Sequence, residues 1–362
     1  MRISLKSWDR HIVKFLRRKI VFILFLFIFF LAAFTTLGTT IVQQHSYNRR
    51  PVEGILPQIF PNEEIIEFRF YSYETEYRYP PINVDFRQKI DNNNLDLPVV
   101  NPHPFKYILK ADHICHQAQN ASLIIVVKSA APHFELRNVL RNTWIPKAKA
   151  NNFAVVFALG YNKLVQQQVL QENAKNRDII QEDFTDSYLN NTYKTIMSFN
   201  WVVEHCSHIE HVYFDDDDMF LHIDNLASYL KVQQNKTDKN LFSGSMAIKG
   251  KPVRNPSSKW YISWEQYPFD YWPPYVGGSS MIAHMAIIKD MQKIFPYVLP
   301  LNFDDVYLGI ILRKLHVKPT NNTHFDNTYL RNFDKLHSLI ANHGFDDPRL
   351  YNSTFYKIFP EV

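Results

Sequence analysis

Cysteine is almost missing from this chain of 362 residues, where Cys115 and Cys206 are the only two. A fold of this size cannot rest on a disulfide framework and must stand on an apolar core, for which 46% apolar and 15% aromatic residues are ample. Two thiols in an oxidising compartment tend to pair, so a Cys115–Cys206 bridge is expected, with two buried free thiols as the alternative. Glycine is also scarce, at nine residues, which makes the adjacent Gly277 and Gly278 conspicuous. Internal repeats and low-complexity tracts are lacking. A basic surface is lacking too, once the first residues are set aside. Residues 1–19 hold seven Lys/Arg against Asp9, and the remainder has 33 basic and 34 acidic side chains. The basic isoelectric point therefore belongs to the N-terminal tail, and a nucleic-acid partner loses its main support.

What is present begins with an uncharged stretch from Ile20 to Val42, opening with unbroken apolar residues from Ile20 to Phe34. About 20 such residues span a bilayer, and Phe and Leu lie on every helical face rather than on one stripe. Arg17, Arg18 and Lys19 stand just before it, so the positive-inside rule keeps 1–19 cytoplasmic and puts everything after Val42 on the lumenal or extracellular side. A cleaved signal peptide is the competing account, but Ala32, Ala33 and Gly38 match its small-residue site only loosely. Sequons at Asn120, Asn190, Asn235, Asn321 and Asn352 all fall on the expected lumenal side.

Residues 43–110 are interrupted by proline and read as a stem, leaving 111–362 as the folded domain. Within it, 122–129 and 153–159 are near-continuous apolar runs of the kind buried in a parallel sheet. Helical patterns at 133–143, 163–176 and 187–206 alternate with strands at 178–184 and 211–214. The expected architecture is α/β with a mainly parallel central sheet, in which ligands bind beyond the carboxyl ends of strands.

Four aspartates, Asp215 to Asp218, stand at one such strand exit. Crowded carboxylates suit a hard divalent cation, although a solvated acidic turn is the plainer explanation. Asp304 and Asp305 open an expected helix at 307–315, where they serve either as an ordinary N-terminal cap or as a general base. Arg137 and Arg141 share a helical face near Lys128, as donors to a diphosphate would. Gly277 and Gly278 follow Trp272, Pro273, Pro274 and Tyr275, which suits either a tight turn or close approach of backbone to a ligand. His343 is a candidate metal ligand or a surface histidine.

Taken in order, these segments resemble the inverting β1,3-galactosyltransferase and β1,3-N-acetylglucosaminyltransferase family of Fringe-related Golgi enzymes. The resemblance runs through Arg137-Asn-Val-Leu-Arg141-Asn-Thr-Trp144, then Glu182-Asp-Phe-Thr-Asp-Ser-Tyr-Leu-Asn190-Asn-Thr-Tyr-Lys194-Thr195. It continues through Asp216-Asp217-Asp218-Met-Phe220, Tyr275-Val-Gly277-Gly278 and Asp304-Asp305-Val306-Tyr307-Leu-Gly309. It implies a GT-A type domain behind a signal-anchor, in a single-pass type II Golgi membrane protein whose catalytic domain is lumenal. It also implies a divalent metal, Mn²⁺ foremost and Mg²⁺ second, a UDP-sugar donor, and a glycan acceptor on glycoprotein or glycolipid.

The family's aromatic two residues after its Asp triplet makes Asp216 to Asp218 the triplet here. By resemblance Asp218 is the principal metal ligand, Asp216 and Asp217 lie near the ribose and diphosphate with Asp216 also near the metal, and His343 completes the metal shell. Asp305 is the implied catalytic base, and Lys128, Arg137, Arg141, Gly277 and Gly278 fall on donor-binding segments. The family often has Lys two residues before the triplet, where this chain has Phe214. That departure keeps open a non-catalytic lumenal protein that retains the fold and binds glycans or a partner.

Overall fold

Unbroken apolar stretches, glycine-serine stretches and amphipathic stretches each form a different part of the architecture. The computed structural model describes residues 78–236, 238–329 and 333–360, all within the unit Glu63–Val362. The expected tail, the 20–42 span and the stem up to residue 77 lie outside the described residues. Among the described residues no helix is long and apolar enough to cross a membrane.

In chain order the strands are β1 (Tyr107–Leu109), β2 (Leu123–Lys128), β3 (Phe153–Tyr161), β4 (Ile179–Thr185), β5 (His211–Asp216), β6 (Met219–Leu221), β7 (Phe242–Ala247), β8 (Tyr275–His284), β9 (Thr320–Asn321), β10 (Phe325–Asp326) and β11 (Ala341–His343). The large sheet is ordered β1-β4-β3-β2-β5-β8-β7-β9, and a small one β10-β11-β6. Strand β2 is buried along its whole length, as its lack of polar alternation requires.

The expectation of a mainly parallel sheet is corrected to a mixed one. β4, β3, β2 and β5 run parallel, whereas β8 is antiparallel to both β5 and β7 and β1 is antiparallel to β4. The antiparallel half escaped notice because Gly277-Gly278-Ser279-Ser280 lacks the β-branched residues that mark a strand. The order reverses at β2, with β3 on one side and β5 on the other, which opens a crevice at their carboxyl ends.

Two helices reach that crevice. Asn191–His205 follows a single 3₁₀ turn at Tyr188–Asn190. Asp304–Lys314 begins earlier than its apolar pattern suggests, so both aspartates lie inside its first turn. Phe214, which stands where a lysine was expected by resemblance, is buried and stacks on Phe199 at 4.6 Å between ring centres. An ammonium there would have no counter-charge in an apolar layer. Trp144 is buried in the core and opens a second helix, Trp144–Ala150.

Cys115 and Cys206 are bridged, with Cα atoms 5.2 Å apart. The bond ties the helix His113–Gln117 to the residue that caps Asn191–His205. The final part of the expected stem packs on the domain, since Tyr79 and Phe86 are buried. Of the sequons, Asn120, Asn235, Asn321 and Asn352 are exposed. Asn190 is half-buried, its amide donates to the Thr185 carbonyl, and the Thr192 hydroxyl of the same sequon is buried and donates to the Leu301 carbonyl.

Candidate active site

The crevice is built first by register. In the β2–β5 pair Lys128 lies opposite Asp216, so the last residue of one strand places a cation beside the first carboxylate of the expected triplet. Lys128 Nζ is 3.1 Å from Asp216 Oδ1 and 2.7 Å from Asp304 Oδ2, and it donates to the Gly278 carbonyl at 2.8 Å. Burial alone would lower its pKa, but the Asp216 and Asp304 carboxylates overrule burial and raise it. A single buried ammonium thus joins β2, β5, β8 and the helix Asp304–Lys314.

The two adjacent aspartates of that helix have opposite fates. For Asp304, burial pushes the pKa up, yet the Lys128 charge and hydrogen bond and the Thr195 hydroxyl, which donates at 2.7 Å, hold it below the usual carboxylate range. Asp305 lacks such a partner, and burial together with the charge of Asp304 pushes it up to about 7. Backbone N–H groups of Val306 and Gly278 hydrogen bond to Asp305 and partly oppose that rise. Neither aspartate serves as an ordinary N-cap: Phe303 holds that position without a side-chain hydrogen bond.

Glycine at position 278 suits this packing, because a Cβ there would lie 3.1 Å from Asp304 Oδ1 and 3.3 Å from the Asp305 Cβ and would press both by a few tenths of an ångström. Gly277 similarly admits Asn327. The pair lies within β8 rather than in a tight turn, and the groups it admits are the chain's own side chains.

The four aspartates separate. Asp215 is buried within the sheet, and burial and the charge of Asp216 raise its pKa well above normal. Asp216 is pushed up to about 7 by burial, with Lys128 opposing and Asp218 and Asp304 assisting. Asp217 accepts from Ser129 Oγ at 2.6 Å and pairs with His133 Nδ1 at 2.9 Å. That hydrogen bond is the main cause of the raised His133 pKa.

Asp218 Oδ2 is 3.1 Å from His343 Nε2, and Oδ1 is buried without a hydrogen-bond partner. The small sheet makes this meeting: β11 pairs with β6 so that His343 faces Met219, and Gly344 turns away at φ 106°. Phe220, which set the triplet's register, packs on Phe345 and Tyr351 and holds β6 in place. The hydrogen bond to Asp218 raises the His343 pKa.

A carboxylate oxygen without a partner beside an imidazole fits a hard-to-borderline divalent cation. Among the described residues no group of three or more His, Cys, Asp or Glu side chains forms a metal site. Such a cation would be held by Asp218 and His343, with water and phosphate oxygens completing its shell.

Arg137 and Arg141 are not brought to the crevice as free donors. Every N–H of Arg137 is engaged: Glu172 takes two, and Ser129 Oγ and the Ala130 and Ala131 carbonyls take the others. Arg141 binds Asp178 and Glu172. Arg137 shapes the segment after β2, and Arg141 braces it through the shared Glu172, so neither has the free donors expected for contact with a diphosphate. Lys194 and Asp186 shape the same segment from another side, through the Ser129 carbonyl and the Ala131 N–H.

Ser129, His133, Asp186, Lys194 and Thr195 were not singled out from the sequence as site residues, and Asp304 was offered only jointly with Asp305, as a cap or a general base. Lys194 and Thr195 were nevertheless part of a quoted motif, and Ser129 immediately follows a strand, the position where ligands collect.

Residues 135–323 match the family described as Galactosyltransferase. The beta-1,3-galactosyltransferase 1 of Mus musculus is 33% identical over 247 residues, 66% of this chain and 74% of that protein. The beta-1,3-galactosyltransferase brn of Drosophila melanogaster is 32% identical over 64% of this chain and 72% of its own length. The lactosylceramide 1,3-N-acetyl-beta-D-glucosaminyltransferase of Rattus norvegicus is 31% identical over 69% of this chain and 68% of its own.

Proposed function

The chain belongs to the galactosyltransferase family, and on that footing we propose that it is a UDP-sugar-dependent β1,3-hexosyltransferase of GT-A type. It moves a hexose or N-acetylhexosamine, galactose foremost, to a glycan acceptor with inversion. We place it in the Golgi membrane as a type II protein held by residues 20–42, with a divalent metal, Mn²⁺ foremost, as cofactor. The observation that supports this reading best is the split between Asp304 and Asp305: one carboxylate is held ionised by Lys128, and its neighbour is poised near neutrality, where a base works best.

Asp305 accepts the proton of the attacking acceptor hydroxyl. Lys128, itself anchored on the Gly278 carbonyl, and Thr195 fix Asp304 and thereby the first turn that presents Asp305. Ser129 and His133 orient Asp217, while Asp218 and His343 would hold the metal, with Asp216 near it. When bound, the cation supplies positive charge against the departing diphosphate.

The test is the full chain in detergent, incubated with Mn²⁺, a panel of UDP-sugars and a terminal galactoside or glucosaminide acceptor. Free UDP and the linkage of the product are measured. Release of UDP with a new β1,3 bond is expected for one donor, and failure with every donor would remove the enzymatic reading.

A further inference from the structure

The helix Asn191–His205 has a second face at work. Ile196, Asn200, Val203 and Glu204 form one wall of a cavity of about 460 Å³, closed by residues 101–103, Phe105, Tyr107, Glu182, Gln292, Phe295 and Pro296. At about 100° per residue these side chains lie between roughly a quarter and a half turn from Thr195, and none of the residues lining this cavity is among those that build the crevice.

Its chemistry is specific. Among the described residues that line it there is no lysine or arginine, while Glu182 and Glu204 contribute carboxylates. A phosphate-bearing or carboxylate ligand is thereby disfavoured. Asn200 and Gln292 offer amides that both donate and accept, and Phe105 and Phe295 offer apolar faces. His103 Nε2 is 2.7 Å from Glu182 Oε2, but His103 Nδ1 and the Tyr107 hydroxyl are buried with no hydrogen-bond partner. Buried polar atoms left unpaired are costly and rare, and two of them beside one cavity leave this wall short of partners from the chain itself. Burial and the nearby glutamates raise the Tyr107 pKa, which keeps its hydroxyl a neutral donor.

We propose that this cavity is a second glycan subsite, binding a neutral hexose or N-acetylhexosamine residue that is not the one being extended. The proposal rests on the reading that the acceptor is a glycan. Many hydroxyls that donate to carboxylates and accept from amides, combined with apolar ring faces, match a sugar in this lining.

Saturation-transfer NMR on the full chain in detergent tests it, with methyl β-galactopyranoside and methyl N-acetyl-β-glucosaminide as probes and putrescine and UDP as competitors. At least one glycoside is expected to receive saturation that persists in Asp218→Ala and disappears in Asn200→Trp, which fills the cavity. Tyr107→Phe removes an unpaired hydroxyl, so it should fold normally while glycoside affinity falls roughly five- to ten-fold. Glycoside binding unchanged by both Asn200→Trp and Tyr107→Phe would overturn the subsite, as would displacement of glycoside by putrescine, which marks an amine site. Glycoside binding that meets these criteria in a chain that transfers no sugar would uphold the subsite and sink the transferase reading, so the two failures are distinguishable.

Discussion

Lys128 Nζ lies 2.7 Å from Asp304 Oδ2, and both groups are buried. This ion pair fastens the end of a central strand to the first turn of a helix almost two hundred residues later in the chain. It also decides which of two neighbouring carboxylates stays ionised. Removing one partner leaves the other as an uncompensated buried charge, which typically costs about 3–5 kcal/mol. Lys128→Met is therefore expected to lower unfolding free energy by about that amount in denaturant titration and to abolish transfer. Wild-type stability in the variant would show that the pair contributes nothing.

The pH profile follows from Asp305. Its pKa stands at about 7, and a base must be deprotonated to act, so activity is present above that value and lost below it. The kcat/KM of the wild type should fall about tenfold per pH unit on the acid side. Burial is the larger cause of the rise and the Asp304 charge the next. Asp304→Asn should therefore move the acid limb to lower pH, a shift that steady-state rates between pH 5 and 8 would register. Asp305→Asn should lose about 10²–10⁴-fold in rate and still bind UDP.

Chelation separates the metal's role from that of the base. EDTA treatment should stop transfer and weaken UDP binding, with recovery on adding Mn²⁺. Asp218→Ala should not recover, because it removes the carboxylate whose Oδ1 has no other partner. Calorimetry of UDP binding with and without Mn²⁺ measures both effects; equal affinities in the two conditions would remove Asp218 and His343 as ligands.

Gly278→Ala tests packing at the smallest scale. The added methyl would press on Asp304 Oδ1 and the Asp305 Cβ by a few tenths of an ångström, and since displacing a catalytic group by about 1 Å can cost on the order of 10²-fold, transfer should fall by less than that, roughly several-fold, while UDP affinity changes little. A variant with unaltered kcat would show that the first turn yields freely.

The bridge between Cys115 and Cys206 closes a separation of 91 residues, for which loop entropy predicts about 4–5 kcal/mol. Cys115→Ala should lose stability of that order in urea titration, and no loss would show that the unfolded chain is already constrained there.

Much of this was legible in the sequence, and the rest was hidden for identifiable reasons. Strands β2 and β3 announce themselves because burial on both faces leaves only apolar residues. Strand β8 does not, since its glycines and serines are there to admit Asp304, Asp305 and Asn327, a tertiary demand with no local signature. Asp218 and His343 could be singled out by type, but only the β6–β11 register brings them together. Arginines at 137 and 141 look identical whether they face a ligand or Glu172. The pairing of Lys128 with Asp304 was equally invisible, because no periodicity connects a strand end to a distant helix start.

The β11 strand carries a consequence for biosynthesis. Until the ribosome has passed His343, and the helix Pro348–Ile358 can lay Tyr351 and Phe355 into the core, Asp218 has no histidine beside it. A stop codon shortly upstream of that histidine would consequently yield a protein in which the large sheet is complete but the Asp218 centre is half-built.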